Sequence, residues 1–143
     1  MIAIPVLLGS IGRLPAGMLA DRFGGRKVFS ALLLLLAIPA IGIGLSNSYA
    51  QLLWLSVFIG AAGTSFAIGV SFTSRWFTSD QQGTALGIFG MGNIGQSIAV
   101  FGAPVLALWL ASWRPVFYIF AAITLIWGVV FYLFARDAVS AVK

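Results

Sequence analysis

The 143-residue sequence contains no cysteine and no histidine, and its only acidic residues are Asp21, Asp80 and Asp137. These absences exclude disulfides, thiolate and imidazole metal sites, Ser-His and Cys-His catalysis, and a histidine pH switch. Without a general-base pair or a metal-ligand set, no catalytic residue is assigned, and neither an enzyme nor a bound cofactor or metal is expected. Charge of any sign is scarce, at 8% of residues against roughly 25% in ordinary soluble domains. Apolar residues are abundant instead, at 61% of the chain with a mean hydropathy of +1.08. Too few polar side chains remain to cover a soluble domain of this size, so most of the surface is expected to face lipid.

Eight basic residues give a formal net charge of +5. They lie singly or in one short loop between apolar runs, so membrane topology explains them better than a nucleic-acid partner does. Polar breaks divide the chain into five apolar stretches of spanning length, at about 1–19, 28–45, 52–76, 84–110 and 116–135. The first lacks a basic leader and a small-residue cleavage site, and reads as a span and not a signal peptide. The third, at about 25 residues, would run about 37 Å, longer than a 30 Å hydrocarbon core, and is expected to tilt. The breaks are ADRFGGRK (20–27), SNSYAQ (46–51), FTSDQQG (77–83) and ASWRP (111–115). Ser79 or Asp80 is the expected N-cap of the fourth span, Pro104 a kink near its end, and Pro115 the first residue of the last.

Orientation follows from the basic residues, which resist translocation. Arg22, Arg26, Lys27, Arg75, Arg136 and Lys143 fall on one side and only Arg114 on the other. The loops at 20–27 and 77–83 and the C-terminus are therefore expected in the cytoplasm, and the N-terminus outside. An odd number of spans with no soluble residue before the first reads as a piece of a longer protein, or a reading frame that begins inside one.

Arg13 interrupts the first span, and an arginine at that depth costs roughly 2.5–3.5 kcal/mol on insertion scales unless it has a compensating role. Gly9, Ala16, Gly17 and Ala20 share its face, a small-residue stripe that marks a side packed against protein. No acid lies inside any span, so an inward Arg13 is a ready anion site. The competing reading is an arginine that snorkels or bonds to carbonyls of a neighbouring helix. At 1.5 Å per residue Arg13 sits about 12 Å from Asp21, Phe66 about 15 Å from Trp76, and Asn93 about 15 Å from Gly83. All three reach the midplane, where carriers hold their substrates. For Phe66 the alternative is ordinary packing; for Asn93 it is an interhelical bond, since an amide in hydrocarbon needs a partner.

Glycines crowd the fourth span, with Gly83, Gly87 and Gly90 on one face and Gly92, Gly95, Ala99 and Gly102 on another. The third span carries a stripe of Gly60, Thr64, Ala67, Ser71 and Ser74. Such faces allow close helix packing, and two on one helix predict two neighbours, or a neighbour and a cavity.

The stretch GMLADRFGGRK (17–27), with Gly17, Asp21, Arg22, Gly24 and Arg26, resembles the loop motif between the second and third helices of major facilitator transporters. GAAGTSFA (60–67), QGTALG (82–87) and GMGNIG (90–95) resemble the nitrate/nitrite porter branch, whose signature lies in its fifth helix. Gly25 stands where many superfamily members carry a basic residue. The resemblance covers nearly the whole chain as helices two to six of a twelve-helix protein. It implies an all-α polytopic membrane protein supplying part of an N-terminal half, with the first helix and the C-terminal half as its missing partners.

By the same resemblance, Arg13 binds the anion, Phe66 packs against it, and Gly92, Asn93 and Gly95 shape the pocket. Asp21 locks the cytoplasmic gate; Arg75, at the end of the third span, is the partner that this sequence offers, the alternative being a pair of solvated loop charges worth under about 1 kcal/mol. Nitrate is planar and weakly hydrated, so a guanidinium fork can hold two oxygens while aromatic and glycine surfaces enclose its faces. The implied function is transport of nitrate or nitrite across the cell membrane. The alternatives are a carrier of another small anion and a helical membrane subunit that transports nothing.

Overall fold

The computed structural model describes residues 3–138. Met1, Ile2 and residues 139–143, Lys143 of the charge count among them, lie outside the described residues. Seven α-helices follow in order among the described residues: α1 (Ala3–Phe23), α2 (Gly25–Leu45), α3 (Tyr49–Gly60), α4 (Ser65–Ser74), α5 (Ser79–Met91), α6 (Ile94–Trp109) and α7 (Arg114–Phe134). A 3-10 segment, Ala61–Thr64, joins α3 to α4 without a loop. Among the described residues, four stretches are long and apolar enough to cross a membrane: Gly25–Leu45, Tyr49–Ser74, Ser79–Trp109 and Arg114–Phe134. Their large apolar side chains, such as Phe101, Leu108, Trp109 and Phe134, lie exposed, as lipid contact requires.

Several boundaries differ from the sequence reading for definable reasons. Residues 20–27 do not form an extended polar turn; the break is Gly24 alone, at φ 93, a left-handed value that costs a residue with a Cβ about 1–2 kcal/mol. The Gly24 N–H still bonds to Ala20 O at 3.1 Å, which closes α1 as α2 begins. The fourth span is interrupted at Gly92–Asn93, while α6 runs through Pro104. There the N–H groups of Gly92, Asn93, Gly95 and Gln96 bond three residues back at 3.0–3.1 Å, so the helix tightens and these four donors stay paired. Thr78, not Ser79 or Asp80, is the N-cap of α5, and Pro115 is the second residue of α7.

Small residues set the packing. The helices α2 and α7 pack most extensively on each other, through buried Ala37, Ala40 and Ala121. The Tyr118 ring lies over Gly44, and Leu33 and Leu34 lie against Gly128. The Phe131 ring meets those of Phe29 and Phe72 at a tilt, with centroids 4.8 and 5.6 Å away. Arg114 ties the other end of α7 to the α2–α3 turn, donating to Ser46 O at 3.1 Å and Asn47 Oδ1 at 2.9 Å. The remaining contacts that position the site run from α1 to α3, the 3-10 segment and α4, with α5 on α4 and α6 on α7.

Candidate functional site

Glycine brings α1 against the 3-10 segment. A Cβ at Gly9 would lie 2.5 Å from Gly60 O, and one at Gly12 would lie 2.9 Å from the Thr64 methyl group. This approach delivers Arg13, one turn beyond Gly9, to Gly63, whose carbonyl accepts from Arg13 Nε at 3.3 Å. The expected stripes therefore meet, Gly9 and Ala20 of α1 being buried and Gly60 and Thr64 lying opposite. Gly17 is the exception, with nothing within 4 Å of where its Cβ would be.

Beside Arg13 lies a cavity of about 710 Å³. Arg13, Phe66 and Asn93 all line it, so the three residues chosen for equal depth converge on one space. Phe66 is held from behind, its ring 5.5 Å from that of Phe89, which rests on buried Gly69. Asn93 enters from the interruption between α5 and α6. Gly92 and Gly95 are not among the lining residues; Gly95 is open to space, and Gly92 approaches only Phe89 O of its own helix. Ser10, Ser65 and Gln96 line the cavity instead. Ser10 and Gln96 stand three residues from Arg13 and Asn93 on their own helices, and that same-face spacing was the available signal.

A second cluster forms at the ends of α1 and α4. Arg75 Nη2 donates to Asp21 Oδ1 at 2.7 Å and to Asp21 O at 3.2 Å, and Ser71 Oγ donates to the same carboxylate oxygen at 2.5 Å. The expected Asp21–Arg75 pair is thus present, with side-chain exposures of 57% and 36%, so its net contribution stays within about 0.2–1 kcal/mol. Arg22 lies over the Phe23 ring, 5.6 Å from its centroid. Arg26 packs on the Tyr132 ring at 4.7 Å and donates through Nε to Tyr132 O at 2.7 Å, while its backbone N–H donates to Asp137 Oδ1 at 2.8 Å. Asp137 also sits where a Cβ at Gly24 would project, and Phe72 where one at Gly25 would. The Gly24–Gly25 pair therefore lets both the carboxylate and the Phe72 ring close on the α1–α2 break. Asp137 and Tyr132 were not singled out from sequence, and Ser71 only as part of a packing stripe, because each acts through a contact far along the chain.

Residues 1–143 match the profile described as Major Facilitator Superfamily. The chain belongs to the major facilitator superfamily. Among its curated relatives, the "Probable nitrate/nitrite antiporter NarK1" of Thermus thermophilus is 41% identical over 90% of this chain and 31% of its own length. The "Probable nitrate/nitrite transporter NarK2" of Mycobacterium tuberculosis is 38% identical over 76% of the chain and 28% of its own length. The "Nitrite extrusion protein" of Bacillus subtilis is 34% identical over 99% of the chain and 35% of its own length. The chain spans about a third of the length of these relatives. It is accordingly an all-α membrane protein of this superfamily, and Asp21, at the centre of the second cluster, lies in the stretch that resembles the superfamily's loop motif.

Proposed function

We propose that this chain supplies helices two to six of the N-terminal half of a nitrate/nitrite porter, which moves its anion by alternating access of two halves around a midplane site. In this reading α1 is a fifth span beside the four apolar stretches, and the segments at 20–27 and 77–83 and the C-terminus face the cytoplasm at the cell membrane. The first helix and the C-terminal half of the longer transporter are its partners, and the protein is a carrier without catalytic residues. Arg13 holds two anion oxygens in its fork, Phe66 and Asn93 bound the remaining space, and Gly92 and Gly95 shape the helix that carries Asn93. Asp21 and Arg75, with the loop residues Gly17, Arg22, Gly24 and Arg26, form the cytoplasmic gate.

The observation that carries this reading is the cavity itself. Arg13, Phe66 and Asn93 meet there, and among the described residues no carboxylate lines it and no hydrogen bond occupies the Arg13 Nη groups. A site with one uncompensated positive charge attracts anions, and a planar one gains most from a guanidinium fork. The Arg13 Nε bond to Gly63 O also favours a second reading, in which Arg13 only joins helices.

In a complete transporter carrying this chain, Arg13→Ala is expected to abolish nitrate and nitrite uptake without loss of membrane insertion. Arg13→Lys separates the readings, since an ammonium can still bond to Gly63 O but offers no planar fork. Full uptake by the correctly inserted Arg13→Lys protein would favour helix joining. Uptake of another small anion with nitrate excluded would favour a different substrate.

A further inference from the structure

We infer that Asp137 and Arg26 form a swapped pair of helix caps that clamps α2 to α7 and gives the cytoplasmic gate a fixed frame. The clamp stands on its own geometry, and its relation to the gate rests on the proposed function.

Each helix lacks at its own end what the other supplies. The helix α2 opens behind Gly24, which has no side chain with which to cap it, and its first turn holds no acid but two cations, Arg26 and Lys27. Positive side chains sit badly at the positive end of a helix dipole, where the first N–H groups also lack partners within the helix. Asp137 meets both needs. Its Oδ1 accepts from the Arg26 backbone N–H at 2.8 Å, so a carboxylate from beyond α7 does what a capping side chain would. Gly24 must stay bare for this, at φ 93 and with a Cβ that would lie 2.6 Å from Asp137 Oδ2.

In turn, α7 has no basic residue in its last turn. Arg26 reaches it from α2, donating through Nε to Tyr132 O at 2.7 Å with its guanidinium 4.7 Å from the centroid of the Tyr132 ring. Tyr132 is among the last four residues of α7, whose carbonyls have no helical donor ahead of them, so a cation there meets an orphan acceptor and the negative end of the dipole together. The same bond carries the misplaced charge of Arg26 away from the start of its own helix.

The chain divides at Gly24. Before it, Asp21 of α1 is held by Ser71 and Arg75 of α4 in a half-exposed cluster. After it, α2 is capped onto α7 and runs on into the most extensively packed helix pair, with Ala37, Ala40 and Ala121 buried between them. A half-exposed ion pair parts at small cost, whereas parting the swapped caps gives up two charge-assisted bonds and both dipole matches at once. The Asp21–Arg75 side is therefore the part that opens, and the α2–α7 pair the part that stays.

The test is amide hydrogen exchange in a complete transporter carrying this chain, in nanodiscs, with spin-label distances reading the ratio of inward-open to outward-open forms. Asp137→Ala should speed exchange of the Arg26 amide about 2- to 30-fold, as loss of a cap implies, and leave that ratio at its parental value. Asp137→Asn keeps an acceptor oxygen without the charge and should fall between parent and alanine. Arg26→Ala should speed exchange at Ala135, whose N–H bonds to Phe131 O at 2.9 Å at the end of α7, on the other side of the clamp. Parental exchange at residue 26 in Asp137→Ala, or at Ala135 in Arg26→Ala, overturns the clamp, and a shifted ratio in Asp137→Ala overturns its fixed role. If Asp21→Asn leaves the ratio unchanged while Asp137→Ala speeds exchange, the gate reading falls and the clamp stands.

Discussion

Replacing Gly9 by alanine puts a methyl group 2.5 Å from Gly60 O and 3.6 Å from Gly63 Cα. Carbon and carbonyl oxygen settle at about 3.3–3.6 Å even in favourable C–H···O contacts, so the two backbones must part by about 0.8–1.1 Å. The obstruction is main chain on both sides, and no flexible side chain can yield. Overpacking of this kind costs about 1–3 kcal/mol, offset in part by the 0.5–1 kcal/mol that alanine gains over glycine in a helix, about the same for both sites. Gly83→Ala is the internal control, because its new methyl meets nothing within 4 Å among the described residues and retains only that gain. The two variants should therefore differ by about 1–3 kcal/mol, with Gly9→Ala the less stable, in denaturant unfolding of the complete transporter in detergent. The same displacement stretches the 3.3 Å Arg13 Nε–Gly63 O bond past about 4 Å, beyond hydrogen-bonding range, so only Gly9→Ala should also disturb anion affinity. Equal stability of the two variants would refute the close crossing of α1 with the 3-10 segment.

Topology is tested by single cysteines: one at Ser79 should react with an impermeant reagent from the cytoplasmic side and one at Ser48 from outside, and the reverse pattern would overturn the depth and gate arguments together. Asp21→Asn keeps the shape of the cluster with Ser71 and Arg75 but removes the charge; because the pair is half-exposed, the loss of about 0.2–1 kcal/mol should shift the inward-open to outward-open ratio about 1.4- to 5-fold, read from spin-label distances. Unchanged populations would leave the pair as solvated charges.

Four apolar stretches long enough to span were legible in the sequence because hydrocarbon tolerates so few charges that each polar break announces itself. The convergence of Arg13, Phe66 and Asn93 was legible for a related reason: a uniform rise per residue converts sequence position into depth. Depth says nothing of azimuth, which decides which residues around α5 and α6 face the cavity. Relative to Asn93, Gly92 lies about 100° and Gly95 about 200° around the helix, whereas Gln96 lies within about 60°. The motif drew attention to the glycines, and the lining residue was the polar one beyond them. The interruption at Gly92–Asn93 was hidden by Pro104, a more conspicuous helix breaker, although glycines at 90, 92 and 95 ease the tighter winding. The glycine faces expected to be close-packed are open at Gly83, Gly87, Gly90, Gly95 and Gly102, since the described residues supply no backbone opposite them. Asp137 escaped notice because its contact with Arg26 spans 111 residues.

The energetics of Arg13 separate the two readings of the cavity. An arginine at this depth costs roughly 2.5–3.5 kcal/mol to insert, and a hydrogen bond from a charged donor returns about 1.5–3 kcal/mol when well formed. The bond to Gly63 O, at 3.3 Å, is long for its class and engages only Nε. A guanidinium carries five N–H donors, so about four remain to be met on the cavity side, where the lining amides and hydroxyls are neutral. Joining α1 to the 3-10 segment therefore accounts for the position of Arg13 but leaves most of its hydrogen-bonding capacity, and all of its charge, directed at the space shared with Asn93 and Gln96. A water-filled cavity could meet the donors, yet only an anion also neutralises the charge. On the proposed reading, with the Phe66 ring lining the same cavity, a flat anion is the occupant whose oxygens best match the fork.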